Sequence, residues 1–343
     1  MEQTYKLPAE WEPQRMIQLT WPHEQTDWKN ILHAATACYL SLTEAIASRE
    51  PLLIVTPEEE KLSQLLKEQL SDKAFANITI INCPTNDTWA RDHGCISLKD
   101  NAGHICADDF CFNGWGLKFA ANYDNQINRT LYKKGIFKDC IFRNCKDFVL
   151  EGGSIESDGA GTLMTTSQCL MAPNRNDTLS KKEIEERLIR EFGMKKVLWL
   201  DHGNLIGDDT DGHIDTIARF CPNNTIVYCK ETNTEDEQYE DLRQMEEQLT
   251  LFTNAEGIPY KLVALPVPDP VYFDEERLPA TYANFLIMNT AVLYPTYSQP
   301  EKDRQAKEIL QSVFPDHEIV GIECSVLIIQ HGSLHCATMQ FPQ

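Results

Sequence analysis

Apolar residues recur at intervals of three and four in five parts of the chain, the spacing that gathers them on one face of an α-helix. In the second part, Leu62, Leu66 and Leu70 would share such a face. The third begins at Ser180, and Glu183 follows three residues later in the pattern of a capping box. The chain is therefore predicted to form helices at about 27–48, 58–71, 180–192, 235–255 and 301–313.

A short apolar run follows each predicted helix and has the length of a buried β-strand. These runs are 52–55, 78–81, 197–200, 262–265 and 319–322. Three further segments carry turn residues between two apolar stretches, which favours β-hairpins. The predicted hairpins are 155–166 with its turn at 157–159, 214–229 with its turn at 222–224, and 282–294 with its turn at 288–290.

The order hairpin, helix, strand thus repeats about five times, without a strict sequence repeat. Repetition of one supersecondary unit predicts an α/β fold that closes radially, and the competing interpretation is an open α/β sheet. No G-x-G-x-x-G segment or phosphate-binding loop occurs, which weakens the nucleotide-binding form of that alternative. Because no Pro/Gly/Ser-rich linker divides the chain, one domain covering residues 1–343 is expected.

The charge of the chain narrows its range of partners. Lys and Arg number 31 and Asp and Glu 52, which gives a net charge of −21. Nucleic acid and anionic membranes are therefore poor partners, and a cationic substrate is a suitable one, although solubility alone also explains an acidic surface. A homodimer is compatible with the sequence, but no interface can be named.

Two further features concern the cellular compartment. No run of about 20 apolar residues occurs, and the polar N-terminal segment with Glu2, Glu10 and Glu12 does not resemble a signal peptide, so a cytoplasmic location is expected. The 12 cysteines include no C-x-x-C pair. They are expected to be mostly buried free thiols rather than disulfides or metal ligands.

Five segments combine polar residues with glycine next to apolar runs, as functional loops do. They are 89–94, 112–116, 151–154, 208–215 and 332–336. If His213 and Asp215 lie on a strand, the period of two places both side chains on one face. The preceding Asp208, Asp209 and Asp211 admit a divalent-metal site instead, although the spaced pattern with a distal Glu is missing.

In combination, these motifs resemble the agmatine deiminase family of the guanidino-group-modifying (pentein) superfamily. The resemblance covers nearly the whole chain. It begins with Pro8-Ala9-Glu10-Trp11-Glu12-Pro13 and Thr20-Trp21-Pro22, continues through Trp-x-Arg-Asp, Asn-Gly-Trp-Gly, Glu-Gly-Gly and Asp-Gly-His-x-Asp, and ends at Gly-Ser-x-His-Cys. It implies a pentein α/β-propeller with about five repeated units around a central active site.

The resemblance also implies the roles of five residues. Cys336 would be the nucleophile and His213 the general acid and base. Asp92 and Asp215 would hold the guanidinium nitrogens, while Glu151 would bind the guanidinium and orient His213. Neither a metal nor an organic cofactor is implied, and the expected reaction converts agmatine to N-carbamoylputrescine and ammonia through a covalent thiouronium intermediate.

These residue types suit the chemistry. A guanidinium is planar and permanently cationic, so paired carboxylates can hold its plane while a thiolate attacks the central carbon. Trp89 and Trp115 would cover the alkyl chain or its cationic end. A non-catalytic polyamine-binding protein and a metallohydrolase are the alternatives from other functional classes.

The substrate tail is less well determined by the sequence. After Asp215 the chain continues as Thr216-Ile217-Ala218-Arg219-Phe220, which also resembles relatives of a bacterial peptidylarginine deiminase. Peptidyl-arginine or free arginine therefore remain alternative substrates, and Arg91, Arg175 or Arg219 would then bind a substrate carboxylate.

Overall fold

The computed structural model describes residues 5–343, which form a mixed α/β fold. The strands are β1 (Gln14–Thr20), β2 (Leu52–Thr56), β3 (Ile78–Asn82), β4 (Ile96–Lys99), β5 (Ile105–Cys111), β6 (Ile141–Val149), β7 (Ile155–Ser157), β8 (Thr162–Thr166), β9 (Lys196–Leu200), β10 (Ala218–Cys221), β11 (Thr225–Lys230), β12 (Lys261–Pro266), β13 (Tyr272–Phe273), β14 (Glu276–Arg277), β15 (Leu286–Ile287), β16 (Ala291–Thr296), β17 (Glu318–Glu323) and β18 (Thr338–Pro342).

The α-helices are α1 (Leu32–Ala47), α2 (Glu59–Gln69), α3 (Asp72–Ala76), α4 (Ala90–His93), α5 (Gly114–Leu117), α6 (Ile127–Lys133), α7 (Ser167–Leu170), α8 (Lys181–Phe192), α9 (Tyr239–Leu249) and α10 (Pro300–Val313). Short 3₁₀ helices cover Asp27–Ile31, Asp124–Gln126, Gly152–Ser154, Ile214–Thr216 and Leu327–Gln330. Among residues 5–343, none of these helices combines the length and the apolar character needed to cross a bilayer.

Five sheets share one pairing pattern. In each, the first strand pairs antiparallel with the second, and the second pairs parallel with a third that follows a helical crossover. The sheets are β18-β1-β2-β3, β4-β5-β6, β7-β8-β9, β10-β11-β12 and β15-β16-β17. Because β18 pairs with β1, the last strand of the chain completes the sheet that the first strand began.

Most of the elements predicted from the apolar pattern are confirmed. Helix α8 begins after Ser180, whose side chain accepts the N–H of Glu183 in a complete capping box. The three hairpins are the antiparallel pairs β7–β8, β10–β11 and β15–β16. The first predicted helix instead divides into a 3₁₀ helix and α1, and the fourth is shorter than expected.

The sequence pattern did not reveal β5, whose residues read Ile-Cys-Ala-Asp-Asp-Phe-Cys. Two adjacent aspartates argue against a buried strand, yet both are buried here. Asp108 is paired with Arg143 and Asp109 with Lys146, so the cost of burying these charges is offset by partners more than 30 residues away. Patterning along the chain carries no information about such partners.

The thiol prediction is also confirmed in the described residues. All 12 cysteines are free, and all but Cys111 and Cys140 are buried.

Candidate active site

A site loop precedes the first strand of each of the five sheets. Asp92 lies on α4 before β4, and Glu151 lies at the 3₁₀ helix before β7. His213 and Asp215 lie at the 3₁₀ helix before β10, Asn284 comes just before β15, and Cys336 comes just before β18. The equivalent position of these loops in five similar units explains how residues far apart in sequence reach one site.

The hypothesis that His213 and Asp215 share the face of a strand is wrong. Ile214–Thr216 forms a 3₁₀ helix, and His213 precedes it in an extended conformation. The two side chains nevertheless approach one point, since the tight helical turn redirects the chain between them.

That point is Gly153. A Cβ atom built on this residue would lie 2.6 Å from His213 Nδ1, 2.9 Å from Asp92 Oδ1 and 3.1 Å from Asp215 Oδ2. Three of the five predicted catalytic side chains therefore surround the Cα atom of Gly153, where only a hydrogen atom fits in place of a side chain. The second glycine of the Glu-Gly-Gly motif is required by this close approach rather than by its backbone angles.

Cys336 lies beside Asp215 and Asn284. Its Sγ atom is 3.7 Å from Asp215 Oδ2 and 3.2 Å from Asn284 Nδ2. Asn284 Oδ1 accepts the backbone N–H groups of His335 at 2.9 Å and Cys336 at 3.2 Å, which ties the cysteine loop to the β15 unit. Burial, together with Asp215 and Asp92, raises the pKa of Cys336 well above its usual value, so the thiol is protonated without substrate.

His213 is completely buried, and neither ring nitrogen has a hydrogen-bond partner among residues 5–343. Burial lowers its pKa to about 3, so the imidazole is neutral. A carboxylate oxygen of Glu151 and the sulfur of Cys169 lie within 4.8 Å of one of its nitrogens. An unpartnered neutral imidazole can accept a proton from a thiol and later return it.

Asp92 is held by two N–H dipoles and has no cationic side chain of its own. Trp115 Nε1 donates to Oδ2 at 2.9 Å, and the Gly153 N–H donates to Oδ1 at 3.1 Å. Burial and the neighbouring Asp215 raise the pKa of Asp92 well above its usual value. Trp115 has φ of 55°, a strained conformation for a bulky residue that this indole hydrogen bond accounts for.

The other two carboxylates have cationic or imidazole partners. Glu151 accepts from Arg175 Nε at 3.0 Å, and burial nevertheless leaves the Glu151 pKa raised. Asp215 Oδ2 lies 2.7 Å from His335 Nδ1. Burial alone would raise the pKa of Asp215, but the hydrogen bond from His335 and the positive charges around Asp215 together hold the pKa below its usual value.

An open cleft of about 430 Å³ leads to Cys336 and Asp92. Trp89 and Trp115 line it, and the ring of Trp89 packs so closely on Gly332 that a Cβ atom there would lie 2.4 Å away. Glu151, His213 and Asp215 lie buried behind these lining residues. Three more carboxylates line the outer part of the cleft: Asp27, Asp87 and Asp209.

The three arginines considered for a substrate carboxylate are engaged inside the protein. Arg91 pairs with Glu10, Arg175 pairs with Glu151 and Asp211, and Arg219 pairs with Glu10 and Glu156. None of the three lines the cleft. The expectation that one of them would hold a substrate carboxylate is therefore wrong.

The aspartates considered for a metal site are directed to separate partners. Asp208 accepts the N–H groups of Thr210 and Gly212, while Asp209 and Asp211 both pair with Lys118. In the described range, two other clusters come close enough to share an ion, Glu151–Cys169–His213 and Glu10–Glu156–His335. Each already contains a carboxylate paired with an arginine, which disfavours a bound cation.

Asn284 was not predicted from the sequence. Three contacts of the site were not predicted either: the close approach of side chains to Gly153, the ion pair of Arg175 with Glu151, and the contact of His335 with Asp215. Asn284 could have been found from the repeat itself, because every other hairpin unit is preceded by a polar site loop.

Comparisons with known proteins identify the family of the chain. Residues 6–342 match the family model described as Porphyromonas-type peptidyl-arginine deiminase. The chain belongs to this family.

Individual deiminases resemble the chain over almost its full length. A Porphyromonas gingivalis structure, provisionally named an arginine deiminase, has 47% identity and a TM-score of 0.93, with 99% of both chains covered. An agmatine deiminase from C. jejuni with substrate bound has 36% identity and a TM-score of 0.91, covering 99% of this chain and 97% of the other. The agmatine deiminase of Pseudomonas aeruginosa is 32% identical over 98% of this chain and 95% of its own. The resemblance found in the sequence motifs is thus confirmed, and these deiminases share the mixed α/β fold.

Gly153→Ala is expected to lower kcat/KM by at least about 10²-fold, because the new methyl group must displace His213, Asp92 or Asp215, and misplacing reacting groups by about 1 Å has this cost. Steady-state kinetics with a guanidine substrate measures the change. Gly321→Ala is the matched control, since its Cβ would lie 2.8 Å from Thr296 on a sheet away from the cleft. Equal losses in both variants would contradict the role of Gly153.

Asp215→Asn is expected to increase the rate at which iodoacetamide alkylates Cys336 at neutral pH, although turnover falls. The Asp215 carboxylate disfavours the thiolate, so removing its charge lowers the Cys336 pKa. Site-resolved mass spectrometry across pH separates Cys336 from the other thiols. Asp147→Asn, which removes an exposed carboxylate paired with Arg187, should leave the rate unchanged. A slower reaction in Asp215→Asn would refute the electrostatic assignment.

Proposed function

We propose that this protein is an agmatine deiminase that hydrolyses the guanidinium of agmatine to N-carbamoylputrescine and ammonia. The observation that carries the proposal is a buried thiol beside two carboxylates, Asp92 and Asp215, at the inner end of a cleft whose outer part is lined by more carboxylates. Such a cleft fits a linear dication with a guanidinium at one end. Its relatives from P. aeruginosa and C. jejuni are named agmatine deiminases.

The guanidinium supplies the positive charge that the inner site lacks. Asp215 Oδ1 is buried and has no hydrogen-bond partner among the described residues, and Asp92 has only dipolar donors. Guanidinium N–H groups donate to both, and charge-assisted bonds of this kind are the stronger ones. Binding of the cation also lowers the pKa of Asp92 and Cys336, so substrate creates the ionised forms that the reaction requires.

The neutral His213 then completes the chemistry. It takes the Cys336 proton, the thiolate sulfur bonds to the guanidinium carbon, and His213 returns the proton to the nitrogen that leaves as ammonia. In the second half, His213 takes a proton from water while the water oxygen bonds to the thiouronium carbon. The S–C bond breaks, His213 returns its proton to the sulfur, and the second water proton leaves the oxygen and converts the departed ammonia to ammonium as the ureido product is released. Glu151, held by Arg175, lies within 4.8 Å of a His213 nitrogen and can stabilise and orient the imidazolium that forms during the reaction.

The outer cleft selects the tail of the substrate. Asp87 forms no ion pair with Lys or Arg in the described part of the chain, and burial raises its pKa to about 6. A substrate ammonium would offset this burial. Asp209 is already paired with Lys118 and Asp27 is exposed, which leaves Asp87 as the better ligand. A peptidyl-arginine or arginine carboxylate would meet Asp27, Asp87 and Asp209 without a free cation among the residues that line the cleft.

The arrangement of the units belongs to the same proposal. Five sheets with one pairing pattern, five loops that meet at one site, and the pairing of β18 with β1 support a radial five-unit pentein propeller. A single catalytic domain of residues 1–343 is consistent with site residues drawn from all five sheets.

Cys336→Ala is expected to abolish ammonia release from agmatine while binding persists, because the carboxylates that hold the guanidinium stay in place. Ammonia and ureido-product assays with agmatine, arginine and C-terminal-arginine peptides test the wild type, and calorimetry tests binding to the variant. Turnover of arginine peptides but not agmatine would replace the proposed substrate. Binding of agmatine by the wild type without any ammonia release would indicate a polyamine-binding protein instead.

Asp87→Asn is expected to raise KM for agmatine by about 10-fold or more, since the distal ammonium loses a partly desolvated partner. Butylguanidine, which lacks the ammonium, is the matched substrate and should be affected little. The ratio of the two kcat/KM values is the readout. A ratio that does not change would place the ammonium elsewhere in the cleft.

A further inference from the structure

The ring of His335 lies between two carboxylates. Nδ1 is 2.7 Å from Asp215 Oδ2, and Nε2 is 2.9 Å from Glu10 Oε1. The ring is 1% exposed, so water does not compete for either contact. Asp215 is the carboxylate that faces Cys336, and Glu10 comes from the segment that precedes β1.

The two contacts constrain where protons reside. Each is a hydrogen bond only if it contains a proton, so Asp215, His335 and Glu10 hold two protons among them. Burial would raise the pKa of Glu10, but His335, Arg91 and Arg219 bring it well below its usual value. Burial would also raise the pKa of Asp215, but the hydrogen bond and charge of His335, together with Arg219, bring it below its usual value. With both carboxyl groups ionised, the two protons belong to the imidazole ring.

The neighbouring groups act in both directions. Burial, Arg219 and Arg91 lower the pKa of His335 below its usual value, whereas Glu10 and Asp215 oppose this and are the groups in direct contact, so the two short contacts carry the assignment. Arg219 Nη2 lies 3.0 Å from His335 Nε2, and both nitrogens are directed at the Glu10 carboxylate.

The arginines around Glu10 are themselves held by ion pairs and hydrogen bonds. Arg219 is also bound to Glu156, whose other oxygen accepts the N–H of Phe220 at 3.0 Å. Arg91 donates to Glu10 Oε1 at 3.0 Å, the same oxygen that faces His335. Glu10 is therefore held in place by two arginines, Arg91 at Oε1 and Arg219 at Oε2.

Glu10 also connects the network to a second cavity. This cavity, of about 580 Å³, is lined by Glu10, Arg91, Glu156 and Gln340 together with other polar and apolar residues. It shares no lining residue with the substrate cleft, and His335 lines neither. The Glu10 side chain is 20% exposed and faces this second cavity, whereas the ring of His335 and the side chain of Asp215 are buried.

We propose that His335 is a positioning residue, held as an imidazolium between Glu10 and Asp215, which keeps Asp215 ionised and oriented for the guanidinium. The Asp215–His335–Glu10 relay connects the substrate site to the second cavity. This inference rests on the proposed deiminase function only for its kinetic consequence, since the charge of His335 is a property of the enzyme without substrate.

The charge is tested directly by NMR of protein labelled with ¹⁵N-histidine, without substrate. Both ring nitrogens of His335 are expected to be protonated at neutral pH, with His335→Gln identifying the signals among the nine histidines. A neutral ring with its proton on Nδ1, and Arg219 donating to Nε2, is the result that would overturn the proposal. This measurement stands whatever guanidine proves to be the substrate.

The consequence is tested by the pH dependence of kcat/KM in His335→Gln and Glu10→Gln. Without the imidazolium the pKa of Asp215 rises, so the acidic limb should move to higher pH in both variants. At pH 7, kcat/KM of His335→Gln should fall by about 10²-fold, as for the loss of one partner of a buried charge pair, and should recover partly at higher pH.

His23→Gln is the matched control, because His23 is also buried and hydrogen-bonded, to Thr85, outside both cavities that the relay connects. Its pH profile should equal that of the wild type. Glu10→Gln keeps the hydrogen-bonding shape of a partly exposed residue, so it tests the relay even if His335→Gln folds poorly. If kcat/KM falls by the same factor at every pH and the acidic limb of its pH profile does not move, His335 has only a structural role and the proposal is refuted.

Discussion

The burial of several carboxylates around one thiol is the constraint on which the rest of the site depends. Asp92, Glu151 and Asp215 are each 3% exposed or less, and isolated charges are costly in such an environment. Each is offset differently: Glu151 by Arg175, Asp215 by His335, and Asp92 by N–H dipoles alone. The site is therefore left short of positive charge at the position where a guanidinium would bind.

This unequal compensation links binding to chemistry. Without substrate, the Cys336 thiol and the Asp92 carboxyl both have raised pKa values, while His213 is neutral. A cation that enters the cleft would favour the ionised forms of Cys336 and Asp92, and so would lower both pKa values. An exposed, permanently ionised thiolate would be open to oxidation and alkylation, so under the proposed mechanism ionisation that depends on substrate would also protect Cys336.

Close packing and shared topology make this arrangement possible. Gly153 allows His213, Asp92 and Asp215, and Gly332 allows Trp89, to approach backbone at distances that a methyl group would prevent. Each site loop occupies the same place in its unit, immediately before the first strand, so five short segments meet without a long connection. The closing pair β18–β1 brings Cys336 to residues that precede it by more than 100 positions.

The sequence by itself determined most of the helices and hairpins, because apolar periodicity and turn chemistry are local properties of the chain. Ordered motifs also indicated Asp92, Glu151, His213, Asp215 and Cys336, since guanidinium chemistry needs those residue types. Only the tertiary structure decided how the charges are shared: which carboxylate Arg175, Arg219 and His335 each support, that Asn284 contacts the thiol, and that Asp108 can lie within a strand. These are contacts between distant segments, and their energies depend on burial and on distances of a few ångströms that local patterning does not specify.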